Sequence, residues 1–152
     1  QAQHELTHLR ILLECEGACL SLRQGGIDWE SQLTAAHHKL SHIEKRVRGS
    51  ADHTPLFILW AKAEQAFHET LISDCGSDVL KATHAMIYQR FRQQVFNSDK
   101  KFVFVAENIE QHQGILEAAL MRDEALIRSR IYSHLERNLV FDMPPELPKL
   151  PY

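Results

Sequence analysis

The chain has no apolar run long enough to cross a membrane. None of its stretches approaches the roughly 18 consecutive apolar residues that a membrane helix needs, and its first residues do not form a signal peptide. Its three cysteines are an odd number and form no paired framework, which is typical of proteins from a reducing compartment. We therefore expect a cytoplasmic protein with no membrane association.

Strong charge of one sign is also missing. The formal net charge is −3, which excludes a broad basic surface for nucleic acid on this chain. There is no internal repeat, no glycine-rich phosphate loop and no nucleophile elbow. With 152 residues the chain is the size of one domain, and it can bury a core without disulfides.

What the sequence does contain is helical periodicity, interrupted by glycine, proline and capping residues. It predicts six helices, at about 4–23, 28–47, 54–72, 77–95, 102–119 and 123–138, with Asp28, Ser77 and Asp123 among the caps. The short stretch 102–105 is the one that also fits a strand. The fold class is therefore all-α, an antiparallel bundle of six or seven helices over residues 1–142, followed by an extended proline-rich tail at 143–152.

Two polar residues lie on the apolar face of the third predicted helix. Glu64 and His68 are one turn apart, in the middle of the stripe that Trp60, Phe67 and Leu71 form. A carboxylate and an imidazole that point into a core cost free energy unless something pairs with them. Either the two side chains bind each other, or they hold a ligand between them.

Two further histidines occupy the same kind of position. His112 lies at the centre of the apolar face of the fifth predicted helix, and His134 aligns with the isoleucines of the sixth. Neutral imidazoles and a carboxylate are common ligands of a divalent first-row metal such as Zn²⁺ or Ni²⁺. Glu64, His68, His112 and His134 are therefore candidate metal ligands, although a single histidine on an apolar face is more often a core residue with a hydrogen-bond partner.

The other histidines and two of the cysteines have simpler explanations. Solvation accounts for the histidines of the second predicted helix, which lie on a mixed face: His37, His38 and His42. His84 shares the apolar stripe of the fourth helix and is expected to line the same cavity as the candidate ligands. Cys15 and Cys19 are one turn apart, but small core residues are a better interpretation than a soft-metal pair.

The order and spacing of these residues resemble the FCD domain, the C-terminal effector-binding domain of FadR-type GntR transcription regulators. The family motif, an acidic residue followed by two residues and Phe-His, is similar to Glu64–His68. Further segments similar to the family are Arg10–Glu14, Gln111–Ile115, Ala118–Asp123 and His134-Leu135. The resemblance spans about Leu6–Asn138, and the segments Ala66–His68 and Cys75–Ser77 are most similar to carbon-starvation regulators of dicarboxylate catabolism.

The sequence departs from the family pattern in three ways. Glu64 stands where Asp is usual, and its longer side chain changes the coordination geometry. Gln111 stands where Glu is usual, directly before His112. The family also carries an N-terminal winged helix-turn-helix that this sequence does not contain. We therefore expect the chain to be the effector domain alone, a fragment of a regulator that binds operator DNA through the absent domain.

The resemblance also implies a mechanism. A divalent metal, Zn²⁺ or Ni²⁺, would lie at the floor of a cavity in the bundle core, and a small organic acid would take its open coordination positions. Arginines of the cavity wall would bind the other end of the acid, because a guanidinium matches a carboxylate. The candidate effector-binding residues are Arg10, Arg92, Arg130, Tyr88 and His84. Effector binding would then change the spacing of the DNA-binding domains in a homodimer.

Two other classes of function stay open at this point. Three histidines with an open coordination position could activate water in a metal-dependent enzyme, but no separate general base is evident near the ligands. The other class is a helical interaction module without metal. Metal analysis of the purified protein separates this module from the other two, and an effector-dependent change without turnover separates a sensor from an enzyme.

Overall fold

The computed structural model contains six α-helices and, among the residues it describes, no strand. It describes the backbone of residues 2–49, 54–96 and 101–141, and the side chains of 4–47, 55–93 and 108–136. The helices are α1 (Ala2–Gln24), α2 (Ile27–Gly49), α3 (Thr54–Leu71), α4 (Asp78–Phe96), α5 (Lys101–Leu120) and α6 (Glu124–Phe141). The all-α prediction is confirmed, while the predicted tail at 143–152 lies outside the described residues.

Two predicted caps are confirmed by their hydrogen bonds. Ser77 Oγ accepts the backbone N–H of Leu80 at 3.1 Å, so that α4 begins directly after Ser77. Asp123 Oδ1 accepts the N–H of Leu126 at 3.0 Å, at the start of α6. Each cap provides an acceptor for a helix N–H that has no partner within its own helix.

Other helix boundaries differ from the prediction. α2 begins at Ile27, so that Asp28 lies in its first turn, where a carboxylate favours the positive end of the helix dipole, and not at the cap. Segment 102–105 is helical, because α5 is one continuous helix. α6 continues past Asn138 to Phe141, since asparagine lowers helix propensity only weakly.

Alternate helices of the bundle run in the same direction. Arg122, which follows α5, donates to the carbonyl oxygens of Leu22 and Gly25 at the end of α1, at 2.7 and 2.6 Å. Trp29 Nε1, at the start of α2, donates to the carbonyl oxygen of Thr70 near the end of α3, at 3.0 Å. The C-terminal ends of α1, α3 and α5 therefore meet at one end of an antiparallel bundle, as short loops between helices require.

We call the junction of Arg122 with Leu22, Gly25, Trp29 and Glu30 the Arg122 corner. Arg122 has a φ of 57°, in the left-handed region, and links α5 to α6. Its Nε and Nη2 atoms donate to Glu30 Oε1 at 3.1 and 2.8 Å, and its guanidinium carbon lies 5.4 Å from the centroid of the Trp29 ring. Every guanidinium nitrogen of Arg122 thus has an acceptor in the protein.

The core of the bundle is apolar except in its middle. Trp29, Phe57 and Phe67 are among its largest buried side chains. The polar and charged side chains buried in the middle of the bundle are Arg10, Glu14, Glu44, Glu64, His68, His84, Asn108, His112 and His134. Buried polar groups need partners, so this set is where a functional site is expected. None of the described helices combines the length and the apolar character that a membrane span requires.

Candidate functional site

The four predicted metal ligands come together in the middle of the bundle. Glu64 and His68 on α3, His112 on α5 and His134 on α6 are each at most 2% exposed. One possible ligand atom from each residue lies within 4.8 Å of the others. His68 Nε2 and His112 Nε2 lie 2.9 and 3.9 Å from the same atom, Glu64 Oε1. We call these residues the four-residue cluster.

Each histidine of the four-residue cluster is held through its other ring nitrogen, Nδ1. The pairs are His68 Nδ1 with Glu14 Oε1 at 2.6 Å, His112 Nδ1 with Glu44 Oε1 at 3.1 Å, and His134 Nδ1 with Gln111 Oε1 at 2.6 Å. Glu14 and Glu44 bind further donors as well, His84 Nε2 at 3.2 Å and Trp60 Nε1 at 3.4 Å. In a neutral ring, an oxygen acceptor at Nδ1 places the ring proton there, so the Nε2 atom is left with a free lone pair.

Two of these three Nε2 atoms lack hydrogen-bond partners among the described residues. His68 Nε2 and His112 Nε2 are buried and make no hydrogen bond there. His68 Nε2 approaches Glu64 Oε1 to 2.9 Å, but without hydrogen-bond geometry. Two nitrogen lone pairs and a carboxylate oxygen that face one another are the arrangement of ligand atoms around a shared cation.

The charges around the cluster also favour a cation. The side chains of Glu14, Glu44, Glu64 and Arg10 are all buried. If the histidines are neutral, three carboxylates and one guanidinium leave two negative charges in the core. An uncompensated buried charge is costly, so the excess must be balanced by a divalent cation or by protons on the histidines.

Without a metal ion, His68 carries part of the balancing charge. Burial opposes the charged ring, but Glu14 and Glu64 outweigh burial and raise the pKa of His68 to about 9. Burial raises the pKa of Glu14, yet positive neighbours, His68 first, hold that pKa well below its usual value. Burial and then the charge of His112 lower the pKa of His134. The site thus holds a proton on His68 that a bound metal would displace.

Arg10 is a buried cation whose donors are free among the described residues. Its side chain is 1% exposed, and none of its three guanidinium nitrogens makes a hydrogen bond there. The nearest carboxylate oxygens, from Glu14 and Glu64, are 3.9 and 4.0 Å away. The guanidinium carbon lies 4.8 and 4.9 Å from the ring centroids of Tyr88 and Phe91. These rings fix the position of Arg10 and leave its donors available for a carboxylate.

The other predicted effector residues lie at different depths. His84 and Tyr88 are buried beside the cluster, and the Tyr88 ring centroid lies 6.4 Å from that of His68. Arg92 is half-buried and donates to Gln65 Oε1 at 3.2 Å. Arg130 is also half-buried and donates to the carbonyl oxygen of Gly114 at 2.6 Å. The structure thus buries His84 and Tyr88 with the cluster, but not Arg92 or Arg130.

A cavity of about 550 Å³ lies beside the cluster. Arg130 and Lys45 are on its wall, and Gln111 and His134 also line it. His134 is therefore the residue of the four-residue cluster that lines this cavity. Arg130 faces the cavity next to His134, one helical turn away on α6, as the sequence predicted.

The structure corrects the prediction for one histidine and confirms the prediction for two cysteines. His37, predicted to be solvated, is 7% exposed, and its ring centroid lies 5.8 Å from that of Phe67. Burial lowers the pKa of His37 accordingly. His38 is exposed, as predicted. Cys15 and Cys19 are buried core residues without a disulfide, which confirms their interpretation.

Three buried polar residues were not assigned to the site from the sequence: Glu14, Glu44 and Asn108. Asn108 lies one turn before His112, is 3% exposed, and its Nδ2 atom has no hydrogen-bond partner among the described residues. Glu14 and Glu44 hold His68 and His112. The helical periodicity that identified His112 would also have identified all three, because each interrupts an apolar face.

Known proteins resemble this chain in sequence over most of its length. The model of the FCD domain family matches residues 5–137. The chain is 30% identical over 139 residues to the HTH-type transcriptional regulator BphR of Paraburkholderia xenovorans (strain LB400), a match that covers 89% of this chain and 54% of BphR. It is 28% identical over 131 residues to the HTH-type transcriptional repressor GlaR of Escherichia coli (strain K12), covering 83% of this chain and 57% of GlaR. The chain thus spans a little over half the length of these relatives.

The six-helix bundle is the all-α fold that the sequence predicted, and the family match covers nearly all of its residues. FCD domains are regulatory, so the metal-dependent enzyme that the sequence left open is not supported. The chain belongs to the FCD domain family.

Proposed function

We propose that this domain binds one divalent metal ion through Glu64, His68, His112 and His134, with Zn²⁺ and Ni²⁺ as the leading candidates. The observation that carries the proposal is that all three histidines are held at Nδ1 by an oxygen, and that one possible ligand atom from each lies within 4.8 Å of the others and of a Glu64 oxygen. Imidazole nitrogen with one carboxylate oxygen suits these first-row metals. Bundle cores commonly assemble such sites from facing helices.

The effector that the site supports best is a small organic acid, a dicarboxylate or a hydroxy acid. Arg10 is its principal anchor, because a desolvated guanidinium with free donors binds a carboxylate strongly. His84 and Tyr88 complete the buried wall. Arg130 and Arg92 are outer residues that would attract the acid or bind its second carboxylate. When bound, the metal supplies a Lewis-acidic partner for an oxygen of the acid.

The names of its relatives support a regulatory role for the whole protein. BphR and GlaR are both named HTH-type transcriptional regulators, and this chain matches only part of each. The proposal is a cytoplasmic homodimer that binds operator DNA through a winged helix-turn-helix. The acid would alter the packing of the bundle helices and so the affinity for DNA, which requires that it bind the two states with different affinity.

The metal proposal is tested by removing one ligand. Wild-type protein, stripped with a chelator, should regain one equivalent of Zn²⁺ or Ni²⁺ and melt at a higher temperature, because a ligand that binds only the folded state stabilises it. His112→Ala should lose this response. His42→Ala removes an exposed histidine of α2 and is the matched control. Wild-type protein whose melting temperature ignores both metals would favour the metal-free interaction module.

The acid proposal is tested by calorimetry of metal-loaded protein against a panel of mono- and dicarboxylates. At least one dicarboxylate or hydroxy acid should bind, and His112→Ala should abolish this binding together with metal binding. If no acid binds while a neutral or cationic ligand does, the acid-sensor proposal is wrong, and the metal proposal stands or falls on its own test.

A further inference from the structure

The three histidines of the four-residue cluster are held by chemically different groups. Glu14 and Glu44 hold His68 and His112 through carboxylates, at 2.6 and 3.1 Å. Gln111 holds His134 through an amide oxygen, at 2.6 Å. An ionised carboxylate can only accept a hydrogen bond, so it fixes the ring proton on Nδ1. An amide has both an acceptor and a donor end, so it can hold a neutral ring in either tautomer.

The surroundings of Gln111 leave its amide room to turn. Glu14 and Glu44 are both fully buried, at 0% exposure, whereas Gln111 is half-buried. Gln111 and His134 also line the cavity of about 550 Å³. Of the three residues that hold the histidines, Gln111 is thus the one that is not fully buried.

We propose that Gln111 is a positioning residue that makes His134 the releasable ligand of the metal site. With Oε1 toward the ring, as in the structure, Nδ1 carries the proton and Nε2 offers its lone pair. With the amide turned, its N–H donates to Nδ1, the proton is on Nε2, and His134 cannot bind a metal there. His68 and His112 have no such second state, because their carboxylates lack a donor.

This inference rests on the proposed metal site, and it identifies the ligand at which exchange begins. Release of His134 opens a coordination position at the end of the cavity that Lys45 and Arg130 also line. A metal ion or an acid oxygen arriving through this cavity meets the exchangeable ligand first. Exchange at the site is therefore controlled by the orientation of one amide.

Metal release provides the first test. Zn²⁺-loaded wild-type protein is mixed with excess chelator, and the rate of Zn²⁺ transfer is compared with that of Gln111→Glu, whose carboxylate can only accept. We expect transfer to slow by about tenfold or more, the usual scale of effects from groups that hold metal ligands. Gln113→Glu adds the same charge on the same helix and lines the same cavity, so it is the matched control and should leave the rate unchanged.

Nitrogen NMR of the histidine rings provides a second test that needs no metal. In ¹⁵N-histidine-labelled protein without metal, His134 should show both neutral tautomers in the wild type and the Nδ1–H tautomer alone in Gln111→Glu. A purely structural role for Gln111 would not move this signature. A single, identical tautomer in both proteins would overturn the inference, and so would an equal or faster Zn²⁺ transfer from folded Gln111→Glu. Failure of wild-type protein to bind Zn²⁺ would instead contradict the proposed function.

Discussion

Arg122 and Arg10 are both arginines packed against aromatic rings, but they differ in what their nitrogens bind. At the Arg122 corner, every guanidinium nitrogen donates to an oxygen of the protein. In the core, Arg10 is almost fully buried, and none of its nitrogens has a hydrogen bond among the described residues. An unpaired buried donor costs about 1–3 kcal/mol, and more when it is charged.

The difference indicates that Arg122 stabilises the fold, whereas Arg10 is available to bind a ligand. Arg122 finds its acceptors at the C-terminal end of α1 and on α2, and this joins two loops of the bundle. Arg10 lies next to the four-residue cluster, where two histidine nitrogens also lack partners. Unsatisfied polar groups that lie together in a core are expected where stability has been given up for function.

The largest expected effect is the loss of acid binding in Arg10→Met. Methionine keeps the contacts with the Tyr88 and Phe91 rings but removes the charged donors, which should weaken acid binding by about 2–5 kcal/mol. Metal content should not change, but the free energy of unfolding of the metal-loaded protein should fall, because removal of the guanidinium leaves one buried carboxylate charge unbalanced. Calorimetry and urea denaturation measure the two quantities.

Arg122→Ala should differ from Arg10→Met in that it affects stability alone. It removes charged hydrogen bonds to Leu22, Gly25 and Glu30, so the free energy of unfolding should fall by roughly 2–3 kcal/mol in urea denaturation. Acid binding should be retained. Arg122→Gly relieves the positive φ but loses the same bonds, so it should not restore wild-type stability. If Arg122→Ala weakened acid binding as much as Arg10→Met does, the two arginines would not have the separate roles that their contacts indicate.

We expect the contribution of the core to the free energy of unfolding to depend on pH, and that of the Arg122 corner not to. Without metal, the free energy of unfolding should fall by about 3 kcal/mol as the pH rises from 6.5 to 9, because the pKa of His68 is about 9 in the folded state and about 6.5 in the unfolded state. The contribution of protonated His68 is complete below pH 6.5 and is lost as the pH rises through 9.

Metal binding should have the opposite pH dependence. Its ligands must be deprotonated, so Zn²⁺ is retained better as the pH rises and is lost as it falls. Urea denaturation at several pH values, with a chelator and with Zn²⁺, gives both curves. Parallel curves would show that His68 does not exchange its proton for the metal.

The sequence predicted the members of the four-residue cluster better than the groups that hold them. Glu64, His68, His112 and His134 were found because each interrupts an apolar stripe on its own helix. Their joint position depends on how α3, α5 and α6 pack, and the family resemblance supported it. That Glu44 holds His112 could not be predicted, because α2 and α5 are distant in sequence and only their packing brings the pair together. Arg122 was assigned only to a tight corner, since nothing local indicates acceptors on α1 and α2.

The smallest expected effect concerns Asp123, the residue after Arg122. Its Oδ1 accepts the N–H of Leu126, and replacing such a cap with alanine costs about 1 kcal/mol. Asp123→Ala should therefore lower the free energy of unfolding by about that amount, while Asp123→Asn, which keeps a capping oxygen, should stay close to the wild type. Zn²⁺ content should be the same in all three proteins, because the corner serves only the fold. A loss of Zn²⁺ in Asp123→Ala that Asp123→Asn does not share would show that the corner also sets the helix positions at the metal site.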